Sequence, residues 1–254
     1  MENVAFDADS LHDMKSVSKS VASLALGIAI DRGLVGSIND PILNFFPELS
    51  DLRSPEKERI QLLHALTMSM GLKWVEATPA TRDYNNDEAR MHMAWDPCRY
   101  VLGLAVTTPA GKEFFYNTGA LTLVSAIVRK ATGRPLDEFA RATLFEPLGI
   151  TGVEWNRIRG DTDAGGGLRL RPRDMAKIGQ LVLAGGRWND RQIVSKGSRP
   201  RRHGRSRPRT VYPMGTSGGS AAPCSMDVRS IGPARLVAAG SRFASSRSSI
   251  SLSW

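Results

Sequence analysis

Ser16 and Lys19, in the segment Ser16-Val17-Ser18-Lys19 at the head of a long apolar stretch, are the residues best suited to chemistry in this chain. A serine hydroxyl is a weak nucleophile at neutral pH until a neighbouring base takes its proton. Positions i and i+3 share a helix face, so on a helix Ser16 and Lys19 point the same way. An amine drawn partly out of water gives up its charge more readily and can serve as that base. The pair therefore predicts nucleophilic catalysis by serine. A bland reading stands beside it, in which Ser16 caps the helix and Lys19 is a solvated side chain. The chain also holds a second match, Ser54-Pro55-Glu56-Lys57. There the bland reading is the stronger one, with Ser54 as N-cap, Pro55 as first helical residue and Glu56 as a first-turn acid. Short motifs of this kind have many false matches, so the surrounding elements have to decide.

The run from Val17 to Ile30 is too apolar for a surface helix and predicts a helix through the core, ended by Gly33 in the left-handed conformation. Ser37-Ile38-Asn39-Asp40-Pro41 reads as a turn, and Ile42-Leu43-Asn44-Phe45-Phe46-Pro47 as a short apolar element. Ile60, Leu62, Leu63, Leu66 and Met68 predict a second helix closed by Gly71. Residues 73–95 read as a long polar and irregular loop with Trp74, Tyr84 and Trp95 spaced through it, a type that often lines a site. A third helix is expected from Thr118 to Ala131, with Leu121, Val124, Ile127 and Val128 on one stripe and Gly133 at its end. A fourth starts at Pro135 and buries Leu136, Phe139, Ala140 and Leu144, followed by a turn at Pro147-Leu148-Gly149-Ile150. A fifth runs from Pro172 through Met175, Ile178, Leu181 and Val182 to Gly185-Gly186. Gly165-Gly166-Gly167-Leu168 precedes it; with no Lys-Ser/Thr pair and no preceding strand, this is not a phosphate loop.

The chain has 254 residues and a mass of 27.7 kDa, and its 41% hydrophobic and 23% charged residues leave ample material for a core. Its formal charge of +9 is unevenly placed. Residues 197–254 contain ten arginines, no lysine and one acid, Asp227, so the first 196 residues are neutral. The tail is also rich in serine, glycine and proline, a composition that predicts disorder. Arginines on such a segment would bind phosphate with little sequence preference. Without interleaved aromatics or a recognisable binding module, a nucleic-acid partner is not expected. Cys98 and Cys224 form neither a disulfide framework nor a spaced metal site. The N-terminus lacks the basic and apolar regions of a signal peptide, and no apolar run approaches the roughly 18 residues of a membrane span, so a cytoplasmic location and no membrane partner are expected.

Several stretches, taken in order, resemble the serine beta-lactamase-related hydrolases: class C beta-lactamases, D-alanyl-D-alanine peptidases, and the esterases and 6-aminohexanoate-dimer hydrolases of that fold. The first three are Leu11-His12-Asp13-Met14-Lys15-Ser16-Val17-Ser18-Lys19-Ser20, His64-Ala65-Leu66-Thr67-Met68-Ser69-Met70-Gly71-Leu72 and Phe115-Tyr116-Asn117-Thr118-Gly119. Ala164-Gly165-Gly166-Gly167-Leu168, Arg173-Asp174-Met175-Ala176-Lys177 and Gly185-Gly186-Arg187-Trp188 continue the series, which covers residues 9–196. The resemblance implies that Ser16 is the acylated nucleophile and Lys19 its proton acceptor or orienter. It makes Tyr116 a proton shuttle between nucleophile and leaving group, against a bland reading as a core aromatic ahead of a helix. It places Asn117 and Thr118 at the substrate. Thr118 stands where many members have Asn, and its hydroxyl can still donate one hydrogen bond to a carbonyl. No metal or organic cofactor is implied.

The fold implied is α+β, beta-lactamase/transpeptidase-like. Mostly the helical part is expected here, in a partial domain over residues 1–196, with the central antiparallel sheet largely missing. Fifteen residues ahead of Ser16 are fewer than the usual first helix and strands require. The family's third motif, a Lys/His-Thr/Ser-Gly or Ser-Gly-x-Gly-Gly strand that supplies a backbone donor to the oxyanion hole, is not recognisable. Residues 247–254 can be encoded by codons whose shifted reading is Pro-Glu-Leu-Asp-Leu-Val-Val-Val, and residues 236–241 can then read Ser-Gly-x-Gly-Gly-Gln. An out-of-frame tail after about residue 196 is therefore the expectation. The function implied is hydrolysis of a small-molecule amide, ester or beta-lactam through an acyl-serine. The alternative is a truncated remnant without activity.

Overall fold

The computed structural model of the chain describes residues 8–76 and 86–195. The readings of Tyr84, of Cys224 and of the 197–254 tail lie outside the described residues.

Strand β1, His12–Asp13, leads into helix α1, Val17–Asp31. Val21, Ala22, Ala25, Leu26, Ile28 and Ala29 are all buried, so α1 runs through the core as its composition requires. It ends at Gly33, whose φ is +69°. Gly33 N–H donates to Ile30 O and Leu34 N–H to Ala29 O, so two terminal carbonyls are satisfied in a Schellman arrangement. Short 3-10 turns follow at Ile42–Phe45, Pro47–Leu52 and Lys57–Arg59. Helix α2 spans only Leu62–Leu66, because Met68 already has φ +52° and Gly71 +74°.

The 73–95 stretch departs from the expected irregular loop. It contains α3, Asp87–Met93, and is followed by α4, Pro97–Gly103. Both are set by their caps: Asn86 Oδ1 accepts from Ala89 N–H at 3.1 Å and Asp96 Oδ1 from Arg99 N–H at 2.9 Å, with Pro97 in the first turn. Each is anchored by few apolar residues, Met91 in one and Val101 and Leu102 in the other. Helix α5, Gly119–Thr132, matches expectation and stops at left-handed Gly133. Helix α6, Leu136–Ala140, continues through a π-turn at Arg141–Phe145 and a 3-10 turn at Glu146–Leu148. Strands β2, Val153–Trp155, β3, Arg157–Ile158, β4, Asp161–Thr162, and β5, Leu168–Leu170, precede α7, Pro172–Leu183. A final hairpin pairs β6, Arg187–Trp188, with β7, Arg191–Gln192.

Helices α1 and α5 pack on each other at the centre, with α2 and α4 against α5 and α6 against both. Beside them lies a three-stranded antiparallel sheet of order β1-β5-β2, with His12 and Val153 both opposite Leu170. Among the described residues the sheet is small and the helices dominate, which is the α+β balance expected. The β3–β4 hairpin turns through Arg159 and Gly160 at φ +51° and +86°, the two-residue turn that matches strand twist. No helix of the described residues is long and apolar enough to cross a membrane.

Candidate active site

Between β1 and α1 the chain turns on Lys15, a non-glycine residue at φ +48° whose N–H donates to Asp13 Oδ1 at 3.0 Å. That turn sets Ser16 at the head of α1. Ser16 has helical backbone angles and its side chain makes no cap hydrogen bond. Its Oγ lies 2.5 Å from the Tyr116 hydroxyl and accepts from Lys19 Nζ at 3.3 Å. Lys19 is only 8% exposed. Its Nζ also donates to the Gly165 carbonyl at 2.6 Å and sits 5.1 Å from the centre of the Tyr116 ring. The second Ser-x-x-Lys behaves differently: Ser54 Oγ accepts from Lys57 N–H at 3.3 Å, and Lys57 Nζ reaches the Leu102 carbonyl. Identical spacing thus gives a cap in one place and a three-residue cluster in the other.

Tyr116 arrives from the loop before α5, in an exposed run with Phe114 and Phe115. Phe115 N–H donates to Met68 O at 2.7 Å, which ties this loop to the segment after α2. Asn117 and Thr118 follow Tyr116 directly but are 4% and 2% exposed. Asn117 Oδ1 accepts from Ala120 N–H at 3.1 Å, in the first turn of α5. Thr118 N–H donates to Glu76 Oε2 at 2.7 Å, and the Thr118 hydroxyl makes a short bond to Glu76 Oε1. The resemblance has both residues holding substrate; here Asn117 Oδ1 accepts and the Thr118 hydroxyl donates within the protein at the start of α5.

The Gly165 carbonyl is positioned by a turn nucleated at Asp163, whose Oδ1 accepts from Gly165 and Gly166 N–H at 3.1 and 3.2 Å. Crowding explains the glycines. A Cβ on Gly165 would strike the Thr118 methyl, and one on Gly167 would lie 2.9 Å from Asn156 Cβ. Ser18, fully buried, links this turn to α1: its Oγ donates to Lys15 O at 2.6 Å and accepts from Leu168 N–H at 3.2 Å. Half-buried Glu88 on α3 has its carboxyl raised above the usual range by burial first and by the Glu76 charge second, with His92 and Lys19 opposing. A cleft of about 310 Å³ opens between α3, α4 and the β3–β4 hairpin, lined by Met91, His92, Trp95, Cys98, Arg129 and Asp163 among others. Burial pushes the Cys98 thiol up to about 12, so it is not poised as a nucleophile.

The structure therefore brings Ser16, Lys19 and Tyr116 together. It adds Ser18, Glu76, Asp163 and the Gly165 carbonyl, which the sequence reading did not select. Asp163 ahead of three glycines carried a usable turn signal; Glu76 and a main-chain carbonyl carried none. A serine hydroxyl held between an amine and a phenol can pass its proton to whichever of the two is in its basic form and regain one from its acidic form, which is the requirement for acyl transfer.

The chain as a whole is similar to known proteins. The 6-aminohexanoate-dimer hydrolase of Paenarthrobacter ureafaciens is 25% identical over 211 residues, covering 76% of this chain and 50% of that protein. Lovastatin esterase of Penicillium rubens is 24% identical over 196 residues, covering 70% and 48%. The chain thus spans about half the length of the curated relatives it matches. Among solved structures, a Bacillus anthracis protein assigned as a 6-aminohexanoate-dimer hydrolase superposes with a TM-score of 0.65 at 20% identity, covering 78% of this chain and 54% of that one. A penicillin-binding protein homologue from Caulobacter crescentus gives 0.59 at 17% identity, covering 77% and 62%. Residues 1–220 match the family described as Beta-lactamase, a span that includes every element of the site; the chain belongs to the beta-lactamase family.

Proposed function

We propose that this protein is a serine hydrolase that opens an amide, ester or beta-lactam carbonyl through an acyl-Ser16 intermediate. The observation that supports it most directly is the double engagement of Ser16 Oγ, by Tyr116 at 2.5 Å and by Lys19 at 3.3 Å. In this reading Ser16 Oγ attacks the carbonyl carbon while its proton passes to Tyr116 in its phenolate form, directly or through the neutral Lys19 amine. The bond to the leaving nitrogen or oxygen then breaks, and Tyr116 returns a proton to that atom. Water attacks the resulting ester, releases the acid and restores Ser16. The Gly165 carbonyl fixes Lys19 so that its Nζ stays on the Ser16 side of the cluster. Exposed Phe114 and Phe115 beside Tyr116 offer an apolar wall to the body of a small-molecule substrate.

Intact-mass analysis after treatment with a fluorophosphonate and with a penicillin tests the reading. One adduct is expected, located on Ser16 by peptide mapping and absent from Ser16→Ala. A chain that takes up neither probe at any pH from 6 to 9 would leave the inactive-remnant alternative standing instead.

A further inference from the structure

A single carboxylate, remote in sequence from the three clustered residues, holds the residue two places after Tyr116. Glu76 Oε2 accepts from Thr118 N–H at 2.7 Å and from Trp74 Nε1 at 2.8 Å, while Oε1 takes the Thr118 hydroxyl. Three donors on one carboxylate make a rigid clamp, because each bond is assisted by the charge. The clamp acts on the first residues of α5. Thr118 is the N-cap of that helix, yet its side chain makes no cap bond, and the first turn holds no acid. The negative charge that a helix N-terminus favours is therefore supplied from outside the helix, by Glu76. Trp74 closes the same corner: a Cβ on Gly119 would lie 2.8 Å from its ring.

The clamp reaches both partners of Ser16. Tyr116 stands two residues before Thr118, so fixing Thr118 by main chain and side chain fixes the loop that delivers the phenol. The Thr118 methyl packs against Gly165, whose carbonyl accepts from Lys19. We infer that Glu76 is a positioning residue for the reaction, holding Tyr116 on Ser16 through Thr118 and supporting Lys19 through the Thr118–Gly165 contact. Glu76 itself touches neither Ser16 nor Lys19 by any hydrogen bond of the described residues. The inference rests on the proposed serine chemistry for its kinetic consequence but not for its structural one.

Two measurements separate these. In the first, the rate of Ser16 acylation by a fluorophosphonate is resolved into its maximal rate and half-saturation concentration for the unsubstituted chain, Glu76→Gln, Thr118→Val and Thr118→Ser. Glutamine keeps the shape but offers an amide where one donor needs an acceptor, and valine removes the hydroxyl at constant volume. Misplacing a reacting group by about 1 Å costs roughly 10²-fold, so both should lower the maximal rate by about that factor with half-saturation unchanged. Thr118→Ser keeps the hydroxyl but loses the methyl that meets Gly165, so its rate should lie between those of Thr118→Val and the unsubstituted chain. Equal rates in all four, or an effect confined to half-saturation, would overturn the inference. In the second measurement the four tyrosines are replaced by 3-fluorotyrosine and the Tyr116 signal is assigned with Tyr116→Phe. Ser16→Ala should shift that signal in the Glu76 protein and leave it unmoved in the Glu76→Gln and Thr118→Val backgrounds, where Tyr116 has already left Ser16. A shift of the same size in all three backgrounds would overturn the inference. This readout needs no catalysis, so a chain that fails to acylate refutes the proposed chemistry and still decides the role of Glu76.

Discussion

Tyr116→Phe removes only the oxygen that meets Ser16 and keeps a ring that is 37% exposed. The fold gains little from that oxygen, so stability should stay within about 0.5 kcal/mol in a urea titration. Acylation of Ser16 should nevertheless fall about 10²–10⁴-fold, the usual contribution of a positioned acid–base group. A stopped-flow comparison with a p-nitrophenyl ester reads this directly; a loss smaller than tenfold would leave Lys19 as the sole proton carrier. At this scale the sequence was informative about side chains and silent about main chain. Ser16 and Lys19 announce themselves by residue type and spacing, whereas the partner that fixes Lys19 is the Gly165 carbonyl, which no side chain encodes. Thr118 shows the converse. Its type suits a substrate contact, but burial and the carboxylate of Glu76 claim its hydroxyl.

Elements meet at a few polar joints, and two of these can be measured. Ser18 joins α1 to β5 by accepting from the fully buried Leu168 N–H. Ser18→Ala leaves that donor without a partner and should cost about 1–3 kcal/mol in urea unfolding; a cost under about 0.5 kcal/mol would show that the joint relaxes. Asp137, in the first turn of α6, receives Arg157 of β3 and the Thr162 hydroxyl of β4. Burial raises its carboxyl, but these hydrogen bonds and the Arg157 charge outweigh it and hold the group below its ordinary 3.8. A carboxyl depressed on folding stabilises above its unfolded value and loses that contribution as pH falls through the folded one. Asp137→Asn should therefore lower stability by about 1–2 kcal/mol at neutral pH, the partial exposure of Arg157 keeping the figure small. The gap between the melting temperatures of the two proteins should narrow as pH falls below 3.8, and a constant gap down to about pH 2 would exclude the linkage. Helix legibility followed length. Helices α1, α5 and α7 repeat their apolar stripe over three turns or more, and Gly33, Gly133 and Gly185 mark their ends. Helices α3 and α4 span two turns each with few apolar anchors, so periodicity missed them, although Asn86 and the Asp96-Pro97 pair were readable start signals.

Across the whole molecule the site depends on contacts distant in sequence. The Ser16–Tyr116 bond closes 100 residues of chain and the Lys19–Gly165 bond 146. No single element carries the cluster, so it cannot survive partial unfolding of α1, α5 or the glycine turn. Loss of fluorophosphonate labelling in urea should then coincide with loss of near-ultraviolet circular dichroism, at one midpoint. Labelling that disappears at clearly lower urea would mean that the site opens as a separate unit. The order of motifs along the chain made the helical body and its family legible. The three-stranded sheet was less so, because β1, β2 and β5 are two or three residues long, too short for the alternation in Val153-Glu154-Trp155 and Leu168-Arg169-Leu170 to stand out.

The bond between Ser16 and Tyr116 can be written with either oxygen as donor. In the proposed reaction that freedom ends at acylation. The serine oxygen becomes part of an ester and has no hydrogen to give, and Tyr116 has passed its own to the leaving atom, so no hydrogen lies between the two oxygens until water supplies one. Deacylation restores the choice. The pair thus behaves as a one-bit register: the presence of a single hydrogen between two oxygens records whether the protein is free or loaded.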